Sequence, residues 1–234
     1  MIDVNVPVAI PAYQAAPTIA KVVRECFDHC THVLVIDDGS TDETAAEAER
    51  AGAEVLRQPR NGGKGTALRS AFRALFSRGA DRVITLDADG QHLPSELPRL
   101  FDPTLRGADL VIGSRRHLFD EMSPVRRASN RLSSQLISAV AGTQLGDVQS
   151  GFRLYTRRLI EHTGFDEYRF DAESAVVVRA VRMGFRVVTV PVELGFADGR
   201  VTSHYRPVVD SLRIARAVTR ARLDTIGCSK LSPS

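Results

Sequence analysis

Five continuous apolar runs, each followed by a polar or helical stretch, constrain the fold of this chain more than any other feature. They are VPVAI (6–10), HVLVID (32–37), AEVLR (53–57), DRVITLD (81–87) and ADLVIG (108–113). Apolar runs without alternation suit strands buried on both faces, and the stretches between them supply helical covers. The pattern predicts a mostly parallel sheet flanked by helices and wound with right-handed crossovers. Helices are expected after Pro17 with Thr18 in the first turn, from an N-cap at Ser40 or Thr41, and from Gly65 to Ser77. The second half reads as an amphipathic helix over 125–141, a strand over 151–155, a helix over 172–183, a strand over 186–190 and a last helix from Pro207 to Leu223. Ligands of open sheets of this kind sit at the carboxyl ends of the strands, so the loops that start near Pro11, Asp37 and Asp87 are the ones to examine.

Composition narrows the class. The chain has 234 residues, 43% hydrophobic and 25% charged, with a formal net charge of +3. That is enough apolar material for a core without disulfides or a structural metal. No apolar run approaches the roughly 18–20 residues that span a bilayer. The stretch MIDVNVPVAIPAY has neither a basic leader region nor a cleavage site, so a cytoplasmic protein is expected. Cys26, Cys30 and Cys228 are odd in number and lack CxxC spacing, and they read as small core residues in a reducing compartment rather than as zinc ligands. Nearly all the positive charge is Arg, with Lys only at 21, 64 and 230, and Arg grips phosphate in a bidentate fashion.

The densest chemical signal is LDADGQHLP (86–94), directly after the fourth predicted strand. Asp87 and Asp89 flank one small residue, so a turn leaving the strand aims both carboxylates into a cleft, with the Gln91 amide oxygen close behind. Hard oxygen donors of this kind suit Mg²⁺ or Mn²⁺. Taken alone, the same residues also make an Asx-turn that ends a strand. Further motifs stand at strand ends or helix starts: VAIPAYQA (8–15), VIDDGSTDETA (35–45), NGGKGTALRSAF (61–72), LVIGSRR (110–116) and DVQSGFRLY (147–155). In this order, from Val8 to His204, the set resembles the family 2 glycosyltransferases of the GT-A fold. Within that family it is most similar to the polyprenol-phosphate (dolichol-phosphate) mannosyl- and glucosyltransferases.

The resemblance implies an α/β architecture, a Rossmann-like and mostly parallel sheet with a smaller acceptor-side region. It implies a single catalytic domain over 1–228, with a nucleotide-sugar and metal half (1–115) and an acceptor half (116–228), and a disordered tail (229–234). Pro11, Ala12 and Tyr13 would line the nucleotide pocket. Asp38 would accept a hydrogen bond from a base N–H, with Asp37 supporting it or the ribose, and Lys64 would approach the nucleotide. Asp87, Asp89 and Gln91 would bind Mg²⁺ or Mn²⁺ and the donor diphosphate, and Ser203 and His204 would lie near that diphosphate. Arg115 and Arg127 would grip the acceptor phosphate, and Arg131 shares a helix face with Arg127 by i, i+4 spacing.

Asp147, Asp171 and Glu173 resemble acidic positions of the family and are candidate general bases, which a hydroxyl acceptor requires and an ionised phosphate does not. Asp147 ordering its own turn and Glu173 capping its helix stay open as alternatives. Relatives usually carry Asn-Glu where this chain has Gln14 and Ala15, which leaves uridine and guanosine donors both open.

The function implied is inverting, metal-dependent transfer of a hexose from a GDP-mannose- or UDP-glucose-type donor to a polyprenyl phosphate. A helical wheel of the last helix puts Val208, Leu212, Ala215, Leu223 and Ile226 on one side and Arg206, Arg213, Arg216 and Arg220 beside them, a face suited to a membrane surface. Two other readings remain. One keeps the fold and donor but takes a hydroxyl on a small molecule, peptide or saccharide. The other is a non-catalytic Arg-rich nucleic-acid module, which the modest net charge and the acidic cleft argue against. A dinucleotide oxidoreductase is disfavoured because PAYQ stands where a GxGxxG turn belongs.

Overall fold

The computed structural model describes residues 6–115, 134–135, 137–140, 148, 150–168, 171–195 and 207–225, and in the helix that starts at Pro207 it describes side chains from Arg216 onward. Seven strands form one sheet: β1 (Val8–Ala12), β2 (Val33–Asp37), β3 (Glu54–Arg57), β4 (Arg82–Thr85), β5 (Leu110–Ser114), β6 (Arg153–Thr156) and β7 (Val187–Pro191). Their order is β3-β2-β1-β4-β6-β5-β7. Every pairing is parallel except those of β6, which runs antiparallel to both β4 and β5. The reversal has a consequence for the site. It brings the turn before β6, at Ser150 and Gly151, to the edge where β1, β2 and β4 end.

Helices cover both faces: α1 (Ala16–Phe27), α2 (Thr44–Arg50), α3 (Lys64–Ser77), α4 (Leu97–Leu100), α5 (Arg157–Thr163), α6 (Asp171–Arg182) and α7 (Pro207–Asp224). Successive strand residues point to opposite faces, and two cores result. Ala9, Leu34 and Ile36 pack with Leu68, Phe72 and Leu75 of α3 and with the Val176–Val178 stretch of α6. On the other face, Val8, Ile10, Val33 and Val35 pack with Ile19, Val22, Val23 and Cys26 of α1. Cys26 and Cys30 are both buried, as expected of core residues, and burial pushes the Cys30 thiol up to about 11.

Several expectations shift. The first strand lies two residues later than predicted, so Pro11 and Ala12 belong to β1, paired with Ile36 and Asp37, rather than to a loop. The second helix starts at Thr44, because Ser40 and Thr41 are engaged by Gln14 instead of capping it. Helix α5 was not anticipated, although Thr156 caps its start by accepting the Leu159 N–H and Gly164 ends it. In α7 the packed stripe is Ala217, Val218 and Ala221, with Thr225 just beyond the helix, whereas Leu223 is 59% exposed. Small residues on that stripe let α7 lie close against α6. Of the helix expected over 125–141, residues 134–135 and 137–140 are helical and the rest lies outside the described residues. No helix among the described residues is long and apolar enough to cross a membrane.

Candidate active site

Three segments far apart in sequence meet at the carboxyl edge of the sheet. Asp87 follows β4, Lys64 opens α3, and Glu173 sits in the first turn of α6. The Lys64 ammonium lies 2.6 Å from Asp87 Oδ1 and 2.9 Å from Glu173 Oε2. Burial works to discharge Lys64, but the two carboxylates outweigh it and hold its pKa above the ordinary value. Asp87 is likewise held low, because Lys64, then His92 and Arg115, overcome the cost of its burial. Asp89 goes the other way: burial raises its pKa, and the adjacent charge of Asp87 raises it further. Arg115 acts electrostatically on both aspartates, which places a basic group of the predicted acceptor side beside the acidic pair.

The turn between these acids is built tightly. Gly90 takes φ +72°, a left-handed conformation that the bend after Asp89 requires. The Asp89 carboxylate accepts the Gln91 N–H at 3.0 Å, and Thr18 of α1 donates to the Ala88 carbonyl at 2.7 Å. Gly195, beyond β7, donates its N–H to the Gln91 carbonyl at 3.0 Å, so the chain leaving the last strand is fastened to the same turn. Gly151 approaches from β6, and a Cβ on it would overlap the Asp87 carboxylate and the Lys64 ammonium.

At the ends of β1 and β2 the two aspartates divide their work. Asp38 is buried and accepts the N–H groups of Gly62 and Gly63, each at 2.8 Å, which fixes the Gly-rich loop ahead of Lys64. A carboxylate there also complements the N-terminus of α3. Asp37 accepts the Ser40 N–H at 3.0 Å. Gln14, at φ +53°, accepts the N–H groups of Thr41 and Asp42 at 3.2 Å and donates to the Thr41 hydroxyl at 2.9 Å. The position that departs from the resembled family is therefore a staple between the β1 and β2 loops.

The predicted residues fall into three groups. Lys64, Asp87 and Glu173 are in direct contact, with Asp89 and Arg115 beside them. Pro11, Ala12, Tyr13, Asp37 and Asp38 share the same sheet edge through β1 and β2, Gln91 lies in the acidic turn, and Asp171 begins α6. Arg127, Arg131, Asp147, Ser203 and His204 lie outside the described residues. Among the described residues no group of three or more His, Cys, Asp and Glu side chains is arranged to hold a metal ion. Arg153, within the DVQSGFRLY stretch, is a central buried group of this region that the sequence does not mark as functional.

The model of the family described as glycosyl transferase family 2 matches residues 8–164. Glycosyltransferase AglJ of Haloferax volcanii is 34% identical over 187 residues, which is 77% of this chain but 60% of that protein, so the chain spans less than two thirds of that relative. Polyprenol monophosphomannose synthase of Mycolicibacterium smegmatis is 31% identical, over 79% of this chain and 75% of that one. Undecaprenyl-phosphate mannosyltransferase of Micrococcus luteus is 33% identical, over 78% and 80%. Among solved structures, glucosyl-3-phosphoglycerate synthase from Mycobacterium tuberculosis, in complex with Mn²⁺, uridine-diphosphate and phosphoglyceric acid, superposes with a TM-score of 0.71 at 22% identity, over 96% of this chain and 79% of that one. The non-catalytic nucleic-acid reading gives way to an enzyme.

Proposed function

This chain belongs to glycosyl transferase family 2 and has the GT-A fold, and from that premise we propose that it moves a hexose from a nucleotide sugar to a polyprenyl phosphate, with inversion and with Mg²⁺ or Mn²⁺. The relatives named for transfer to polyprenyl or undecaprenyl phosphate support the acceptor. The proposed setting is a single catalytic domain over 1–228 at the cytoplasmic face of a membrane.

The observation that carries the reading is the charge arrangement after β4. Lys64 is fixed on Asp87, Asp89 is left with its carboxyl raised by burial and by Asp87, and Arg115 acts on both. Two neighbouring carboxylates, one of them raised by burial and by the other's charge, make a fitting donor set for a divalent cation, and Asp87, Asp89 and Gln91 would hold it. When bound, that ion supplies positive charge to the departing nucleoside diphosphate. Lys64 at the start of α3 adds a second cation on the donor side. Pro11, Ala12 and Tyr13 wall the nucleotide. Asp38, held rigid by Gly62 and Gly63, would accept a hydrogen bond from a base N–H, and Asp37 would support the base or ribose. Ser203 and His204 would serve the diphosphate, as the family resemblance implies.

On the acceptor side Arg115, Arg127 and Arg131 neutralise the incoming phosphate. A phosphate monoester with its second pKa at about 6 is ionised near neutral pH. Its oxygen attacks the anomeric carbon while the bond to the nucleoside diphosphate breaks, and no proton has to be removed. The hydroxyl-acceptor reading needs a base from Asp147, Asp171 or Glu173. Glu173 is 4% exposed and bound to Lys64, which suits holding a cation better than taking a proton.

Calorimetry with UDP and GDP, with and without Mn²⁺, tests the proposal: one nucleotide should bind, and only with metal. Binding of neither would falsify it. Asp89→Ala should weaken metal-dependent binding by about a hundredfold with an unchanged circular dichroism spectrum.

A further inference from the structure

Arg153 stands in β6 opposite Thr85, two residues before Asp87, and is fully buried. Desolvating a guanidinium costs several kcal/mol unless its donors and its charge are matched. Here they are matched by two segments distant in sequence. Nη2 donates to the Val148 carbonyl at 2.6 Å and Nε to the Ser150 carbonyl at 2.7 Å, both in the turn before β6. Nη1 donates to the Glu173 carbonyl in the first turn of α6 at 2.8 Å, and at 3.4 Å to the Tyr155 hydroxyl. Nε also lies 3.9 Å from Glu173 Oε1, a buried oxygen that accepts no hydrogen bond among the described residues.

Both segments touch the Lys64–Asp87 pair. The turn leads into Gly151, whose Cα is packed against the Asp87 carboxylate and the Lys64 ammonium, and whose carbonyl is fixed by the Thr85 hydroxyl at 2.9 Å. The first turn of α6 supplies the second carboxylate on Lys64. Lys64 and Arg153 balance Asp87 and Glu173, so the cluster is neutral as a whole and its members hold one another in place.

We propose that Arg153 is a positioning residue: by tying Val148, Ser150 and the adjoining Gly151 to the start of α6, it sets where Lys64 and Asp87 stand against the donor diphosphate. This rests on the donor reading given above. A flat guanidinium reaches three carbonyls and a carboxylate at once, whereas a lysine is a point charge that cannot. A role confined to filling the sheet would lower the melting temperature on that exchange and leave nucleotide affinity unchanged.

The wild type is titrated first with UDP and GDP in the presence of Mn²⁺, and absence of binding there overturns the donor reading itself. Given wild-type binding, Arg153→Lys should weaken the metal-dependent nucleotide affinity by about tenfold or more. Combining it with Glu173→Gln should add less than about twofold to the larger single effect, because both act through Lys64. A variant that only melts earlier while its affinity stays within about twofold of wild type, or two effects that multiply, would overturn the proposal. If Arg153→Lys fails to fold, Glu173→Gln alone decides by hydrogen exchange. The amides of 150–152, across the guanidinium from Glu173, should exchange about tenfold faster than in wild type, and unchanged exchange overturns the proposal.

Discussion

Gly151 shows how little room the charged cluster leaves. A methyl there would overlap the ends of two flexible side chains, the Asp87 carboxylate and the Lys64 ammonium, rather than backbone. The fold can therefore absorb Gly151→Ala, and the cost falls on the site. The variant should keep a cooperative melt but lose turnover, by up to about a hundredfold if the pair moves by about 1 Å. Turnover with a nucleotide sugar and a polyprenyl phosphate, set beside a thermal melt, measures both, and an active variant would show that the pair tolerates displacement. Lys64, Asp87 and Glu173 were each legible in the sequence through their motifs. Their contact was not, because residues 64, 87 and 173 are joined only by the order of the strands. Arg153 escaped notice for a related reason. A charged residue in a strand reads as an outward-facing one, and only the antiparallel insertion of β6 brings α6 over it.

At the scale of elements, the loops that join α1 and α2 to the sheet carry a titratable link. Asp42 accepts the Ala16 N–H at 3.2 Å, the Thr44 N–H at 3.1 Å and the Thr44 hydroxyl at 2.5 Å, so one carboxylate serves the starts of both helices. Burial raises its pKa, but the Thr44 hydroxyl and then these N–H groups outweigh burial and hold it below the ordinary 3.8. A depressed pKa contributes stability that is complete above the ordinary value and disappears as pH falls through the folded one. Asp42 is exposed, so water screens part of this, and Asp42→Ala should cost at most about 1 kcal/mol near neutral pH. The gap from wild type in urea melts should close below about pH 4, and a gap that persists in acid would mean that the carboxylate charge is not its source. The same region shows what local patterns miss. The parallel strands were readable from their apolar runs, but Pro11 looked like a strand end. It sits inside β1 because the pairing of β1 with β4 stops at Ala9, so no β4 carbonyl calls for the N–H that Pro11 lacks. The start of α2 moved because Gln14, some 26 residues away, claims Ser40 with its main-chain N–H and Thr41 with its side-chain amide.

For the whole molecule, the acidic groups after β2 and β4 lie at one edge of the sheet, while α7 carries exposed Arg216, Arg220 and Arg222. The inner stripe of α7, Ala217, Val218 and Ala221, is packed in the core beside α6, and Arg182 of α6 donates to the Thr225 hydroxyl at 2.7 Å. A helix fixed in this way presents its basic side outward, with Leu223 beside the arginines at 59% exposure. An enzyme whose acceptor is a membrane lipid gains from such a face, since each Arg near an anionic surface contributes about 1 kcal/mol. The protein should sediment with phosphatidylglycerol vesicles, bind phosphatidylcholine vesicles far more weakly, and release as salt screens the attraction. Arg220 lies 4.0 Å from Asp224, so part of its charge is already answered within the helix. Replacing Arg216, Arg220 and Arg222 together with Gln should weaken vesicle binding by up to about a hundredfold. Nucleotide binding should be unaffected, because these side chains are exposed and are none of the residues assigned to the nucleotide. Equal sedimentation of the triple variant would remove α7 from the membrane contact.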